Sequence, residues 1–147
     1  MRLEDEIKQT KPFKSELQKL VLNINFTSSW LNASFSDRLK PFDITPHQYN
    51  VLRILKGKYP DSYCNQDISQ RMVDKSSNAT RIVDRLKVKG LVSKIENAVD
   101  RRLVDIKITE MGLKLLDEIN ELADPQNIII DEEKAKLMNE WLDELRG

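Results

Sequence analysis

Ser77, Asn78, Thr80, Arg81 and Arg85 are the side chains in this 147-residue sequence whose types and spacing point most directly to a chemistry. That chemistry is hydrogen bonding to the edges of bases. Ala79, Ile82, Val83 and Leu86 fall at i, i+3, i+4 and i+7, which places them on one apolar helical stripe. At about 100° per residue, Ser77, Arg81 and Asp84 point away from the stripe, with Asn78 and Arg85 on one flank and Thr80 on the other. Short polar groups let a backbone approach a base edge closely, and an arginine can make a bidentate contact to guanine. Ser76 belongs to the same polar run, and either it or Asp74 can cap the helix start. Lys87 and Lys89 suit the last turn, where positive charge complements the helix dipole, and Gly90 suits a left-handed residue past the end. On these residues alone, a solvated helix face accounts for the pattern equally well.

The next residues shift that balance. Leu91 to Glu96 and Arg102 to Ile108 alternate with a period of two, the mark of two paired strands with one buried face. Asn97 to Arg101 forms the tip. An exposed Arg101 or Arg102 on such a ribbon fits a narrow minor groove, where negative potential is strongest. Asp100 can accept a charge-assisted hydrogen bond from Arg102 and hold its guanidinium in one pose.

Upstream, Thr45 and Gln48 form a capping box with Pro46 at the first helical position, and Ile44 can staple against Tyr49. Val51, Leu52, Ile54 and Leu55 supply a core face, and Gly57 closes that helix. A second short helix begins at Asn65 and buries Ile68 and Met72. Three short helices and a hairpin in this order make a winged helix-turn-helix over 44–108, and the fold class is mainly α with a small β wing.

Two further segments flank this lobe. From Ser15 to Lys40, Leu17, Val21, Ile24, Ser28, Leu31 and Phe35 repeat at near-helical spacing until Pro41. Thr109 caps a helix with Leu115, Leu116 and Ile119, and Asp131 starts a last one with Met138, Trp141, Leu142 and Leu145 on one stripe. This is more apolar surface than the lobe can cover, and exposed patches of that size mark interfaces. The segments 15–40 and 109–146 are therefore expected to dimerise a single domain spanning 1–147. Two copies related by a two-fold axis would set their reading helices about 34 Å apart, in successive major grooves.

In ITPHQYNVLRIL, SSNATRIVDRLKVKGLV and DRRLVDIKITEMG, over roughly residues 15 to 145, the chain resembles the MarR (multiple antibiotic resistance regulator) family of bacterial transcription factors. The last segment holds the family's wing pattern D-x-R as Asp100-Arg101-Arg102. The resemblance implies a homodimer with intertwined terminal helices, acting as a repressor on a pseudo-palindromic operator and releasing DNA when a small-molecule effector binds. Phe26, Trp30, His47, Tyr49 and Arg53, at the junction of the long helix and the lobe, are the expected walls of an effector pocket. Base reading is expected from Ser77, Asn78, Thr80 and Arg81, phosphate contact from Arg85 and Lys87, and minor-groove contact from Arg101 or Arg102, with Ser76 also among the DNA-binding residues. The alternative is a winged-helix protein-interaction module without DNA binding. The wing tip Asn97-Ala98-Val99 departs from the family in lacking Gly or Pro.

Other classes find little support. There is no nucleophile–base–orienter set, phosphate loop or metal-ligand spacing, so neither an enzyme, a metal nor a cofactor is expected. His47 is the only histidine, and Cys64, the only cysteine, is expected to be a buried, inert thiol. One cysteine and no apolar leader or membrane-length run suit a cytoplasmic protein with no membrane partner. Net charge is zero but unevenly spread: residues 65–108 carry ten Lys and Arg against six Asp and Glu, whereas 109–147 carry four against eleven. A local excess of this kind orients a protein on DNA as well as attracting it.

Overall fold

The computed structural model describes residues 2–97, 99, 103–122 and 130–147. The elements run α1 (Leu3–Glu6), α2 (Glu16–Leu39), a 3-10 turn (Lys40–Phe42), α3 (Pro46–Lys56), α4 (Asn65–Arg71), α5 (Ala79–Val88), β1 (Val92–Glu96), β2 (Val104–Ile108), α6 (Glu110–Leu122) and α7 (Glu132–Arg146).

Helix α3 begins where the local chemistry requires it. The Gln48 N–H donates to Thr45 Oγ1 at 3.2 Å and the Thr45 N–H donates to Gln48 Oε1 at 3.0 Å. The reciprocal box satisfies two orphan donors and lets Gln48 be buried without a stranded polar group. The next turns bury Val51, Leu52 and Leu55 against Ile68 and Met72 of the α4 region, Val83 and Leu86 of α5, Ile106 of β2, and Leu116 and Ile119 of α6. Each fully buried aliphatic of this size contributes about 1.5–3 kcal/mol. The core therefore joins the three-helix lobe and its hairpin to α6 and to Leu39 at the end of α2, and α3 runs through it.

The strands pair antiparallel, with Val92 opposite Ile108, Lys94 opposite Ile106 and Glu96 opposite Val104. This register turns Val92, Ile106 and Ile108 inward and leaves Ile95 outside. Tyr63 adds a third, one-residue rung to Ile106 through paired backbone bonds of 3.0 and 2.9 Å. Gly90, at φ +71°, makes the left-handed exit from α5.

Thr109 then locks α6 to the hairpin base: its hydroxyl donates to the Gly90 carbonyl and accepts from the Gly112 N–H. A Cβ on Gly112 would lie 2.4 Å from the Leu91 carbonyl oxygen and 2.7 Å from Ile108 Cγ1. That carbonyl is held by the Thr109 N–H and cannot retreat freely. Gly112→Ala is expected to cost about 1–3 kcal/mol in denaturant unfolding through this overpacking. An unchanged midpoint would show that α6 can pivot away from the hairpin.

The flanking helices are built differently. Ser15 caps α2 and Asp131 caps α7 through their side-chain oxygens. Only Leu39 of α2 is buried, and none of α7. Leu17 is 74% exposed and Trp141 is 65% exposed, and Val21, Trp30, Met138 and Leu145 are also exposed. The two helices border an apolar groove of about 460 Å³ lined by Leu20, Ile24, Leu31, Met138, Trp141 and Leu145, among others. Among the described residues, no helix is long and apolar enough to cross a membrane.

Candidate nucleic-acid interface

Helix α5 buries Ala79, Val83 and Leu86 and exposes Thr80, Arg81, Asp84, Arg85 and Lys87, as the periodicity predicts. Its start differs from the expected one. Neither Asp74 nor Ser76 caps it; Asn78 does, accepting the Arg81 N–H on Oδ1 at 3.0 Å. The physical reason is that Asp74 is already saturated elsewhere. Asn78 thus has its amide oxygen committed to the helix, and its NH₂ group remains for an outside acceptor. Among the described residues, Arg81, Arg85 and Lys87 have no acidic partner, so their charge is available to a ligand.

The turn before α5 is organised around Asp74. Ser76 donates to Oδ1 from its hydroxyl at 2.6 Å and its backbone N–H at 2.9 Å. Ser77 donates its hydroxyl to Oδ2 at 2.9 Å, and His47 Nε2 lies 3.0 Å from the same oxygen. The Ser76 hydroxyl, then His47, then the Ser76 N–H and the Ser77 hydroxyl hold the Asp74 carboxyl well below the usual carboxylate range. Ser76 and Ser77 spend their only hydroxyl protons on Asp74, so outward they present acceptor lone pairs. They suit base amino groups and cannot donate to phosphates while these bonds stand.

The helix is held in place at both ends. Lys94 of β1 reaches Asp84 at 2.6 Å, which ties the hairpin to the exposed side of α5. At the other end Lys89 pairs with Asp43, which holds a left-handed conformation after the 3-10 turn. Asn97 donates its side-chain amide to both oxygens of Asp105, on the tip side of the hairpin. Asp100, Arg101 and Arg102, the expected wing residues, lie outside the described residues.

The expected effector-pocket residues are dispersed in their contacts. His47 turns to Asp74, Tyr49 packs edge-on against Phe35 and donates to Asn120, and Arg53 is exposed. Phe26 and Trp30 are exposed on α2, and none of the five lines the groove between α2 and α7. Cys64 departs from the expected full burial. It is half-buried at the start of α4, and its thiol and N–H both donate to Asp67 Oδ2. Cys64 occupies the N-cap position of α4, and the Asp67 carboxylate three residues on accepts its backbone N–H, a partner that sequence spacing alone did not suggest. No His, Cys, Asp and Glu cluster able to hold a metal occurs among the described residues.

Comparison with known proteins adds an independent line. A model of the MarR family matches residues 44–104, the three helices and most of the hairpin. The chain is 31% identical over 119 residues to the HTH-type transcriptional regulator FarR of Neisseria gonorrhoeae, spanning 78% of this chain and 80% of FarR. It is 38% identical over 69 residues to the HTH-type transcriptional repressor MdtR of Bacillus subtilis, spanning 47% of this chain and 43% of MdtR. Its fold matches that of a MarR mutant from E. coli, solved in complex with operator DNA. There the TM-score is 0.77 at 22% identity, over 92% of this chain and 99% of that one.

Proposed function

The chain belongs to the MarR family of winged-helix transcriptional regulators, and from that premise we propose that it represses transcription as a homodimer reading a pseudo-palindromic operator. One observation carries the reading. The exposed face of α5 presents Thr80, Arg81, Arg85 and Lys87 with no acidic partner among the described residues, while its opposite face is locked into the core. A rigid helix with free cations on its outer side is suited to a major groove.

Roles follow from position. Arg81, near the helix start, reads a base edge together with Thr80 and the Asn78 amide; Ser76 and Ser77 accept from base amino groups; Arg85 and Lys87 contact phosphate. On the wing, Arg101 or Arg102 takes the minor-groove contact. The segments 15–40 and 109–146 form the dimer core, with the apolar faces of α2 and α7 covered by the second copy, and 44–108 is the reading lobe. A small-molecule effector that prefers one spacing of the two lobes depletes the DNA-competent state. The relatives' names support this reading: MdtR is a repressor, and the E. coli MarR mutant was captured on its operator.

Paired substitutions test the roles. Arg81→Ala is expected to relax sequence preference, costing about 1–3 kcal/mol of discrimination at one base pair. Lys87→Ala is expected to weaken all duplexes alike and to lower the salt slope by about one. Competition binding against single-base operator variants, repeated at several salt concentrations, separates the two. Unchanged discrimination by the Arg81 variant would remove α5 as the reading element.

A further inference from the structure

We propose that His47 is a positioning residue for DNA binding: its proton tightens the turn that leads into α5 and cancels the negative charge that this turn shows to phosphate. The proposal rests on the DNA reading above and adds to it a residue and a pH dependence.

Helix α3 holds this turn at two points. Asn50 Oδ1 accepts the Val73 N–H at 3.0 Å, and His47 Nε2 meets Asp74 Oδ2 at 3.0 Å. His47 and Asn50 are three apart, so they share one face of α3. The capping box at Thr45 fixes the backbone of that first turn. The clamp therefore joins a rigid element to the segment that sets Ser76 and Ser77.

The state of the ring matters because of what it faces. Asp74 is ionised and acceptor-only, so a neutral ring fits only with its proton on Nε2. The other neutral tautomer would set a lone pair against the carboxylate. An imidazolium donates from Nε2 without that restriction, and its charge strengthens the bond. Both side chains are nearly half exposed, which keeps the gain modest. Protonation also takes the local charge of the pair from −1 to zero, just before a helix that meets a polyanion.

Other charged groups packed around α3 are engaged elsewhere. Asp67 on α4 is held by Cys64 and Arg71, and Asp84 on α5 by Lys94. Asp43 before α3 pairs with Lys89, and Asp117 on α6 pairs with Lys56 on α3 itself. Lys75, next to Asp74, donates to the Gln70 carbonyl. Arg81 and Arg85 are the cations of the neighbouring α5, and neither changes charge near neutrality. His47 is the only histidine in the sequence, and histidine is the side chain whose ordinary titration falls between pH 5 and 8. Both effects run the same way, so affinity should rise as pH falls.

The test measures binding of a fluorescent random-sequence duplex pool at fixed ionic strength, at about pH 5.5 and about pH 7.5. The parent should bind about three- to fivefold more tightly per reading helix at the lower pH, the range a screened, exposed ion pair can supply. Gln at this position can still donate to Asp74 but cannot titrate. His47→Gln should therefore match the parent at the higher pH with a flat profile, and His47→Ala should be weaker and flat. In the DNA-free parent, the backbone amide NMR signals of Ser76 and Ser77 should follow one titration that is absent from His47→Gln. A flat parent profile, an unchanged profile in His47→Gln, or amide signals indifferent to pH would overturn the proposal. If no variant binds duplex at low salt, the DNA reading itself fails, and the amide titration still decides whether His47 governs the turn.

Discussion

Replacing Trp141 and Leu145 together with glutamate is expected to yield a folded monomer that no longer holds an operator. Trp141 is 65% exposed and Leu145 56% exposed, and α7 buries no residue within its own chain. The core of the reading lobe is built from α3, α4, α5, α6 and the hairpin, and takes no buried residue from α7. Two carboxylates on this face leave intramolecular packing almost untouched. Buried against a second copy, they would be unpaired charges in an apolar interface, and such placement is strongly unfavourable. A dimer binds its second half-site as an intramolecular event, an advantage of about 10²–10⁴ in affinity. That advantage is what the variant should lose. Light scattering with circular dichroism would report a monomer of unchanged helicity, and anisotropy with a selected operator would report the lost affinity. A variant that stays dimeric would place the interface elsewhere.

The second large effect concerns stability. Leu86 is fully buried on the inner face of α5, within the cluster that includes Leu52, Leu55 and Ile106. Leu86→Ala removes buried aliphatic volume where helix and hairpin converge, and the expected loss is about 2–5 kcal/mol. For a domain of ordinary marginal stability this is a large share of the total. Val88, two residues on and 90% exposed, is the matched control. Val88→Ala should change stability by no more than about 0.5 kcal/mol. Chemical denaturation of both variants checks the pair, and equal midpoints would mean that α5 does not anchor to the core as described.

Much of this architecture was legible because its signals are local. The capping box of α3 lies within four residues, the stripe of α5 within eight, and the exit at Gly90 is a single residue. Period-two alternation revealed the strands, and α2 begins and ends where Ser15 and the Pro41 region imply. The start of α5 was not legible. Asp74, Ser76 and Asn78 can each cap a helix, and Asp74 is taken up by Ser76, Ser77 and His47, the last of them 27 residues upstream. Sequence offered only a histidine at the second position of a capped helix, with nothing to say what it faced.

The same limit explains the other differences. The Tyr63 rung is one residue long and has no periodicity to detect. Lys94 alternates onto the inner face of β1, yet its partner Asp84 lies on α5, and no spacing rule connects them. Position in the sequence says which residues lie near the junction of the long helix and the lobe, but not that His47 turns to Asp74 and Tyr49 to Asn120. The apolar excess of α2 and α7 was visible as composition and recurs as exposed surface.

Selection of bound sequences from a random duplex pool, followed by the stoichiometry of the winning complex, tests the central claim most directly. The expected result is an inverted repeat with half-site centres about one helical turn (34 Å) apart and two chains per duplex. An asymmetric motif held by one chain, or a pool that never enriches, would contradict it.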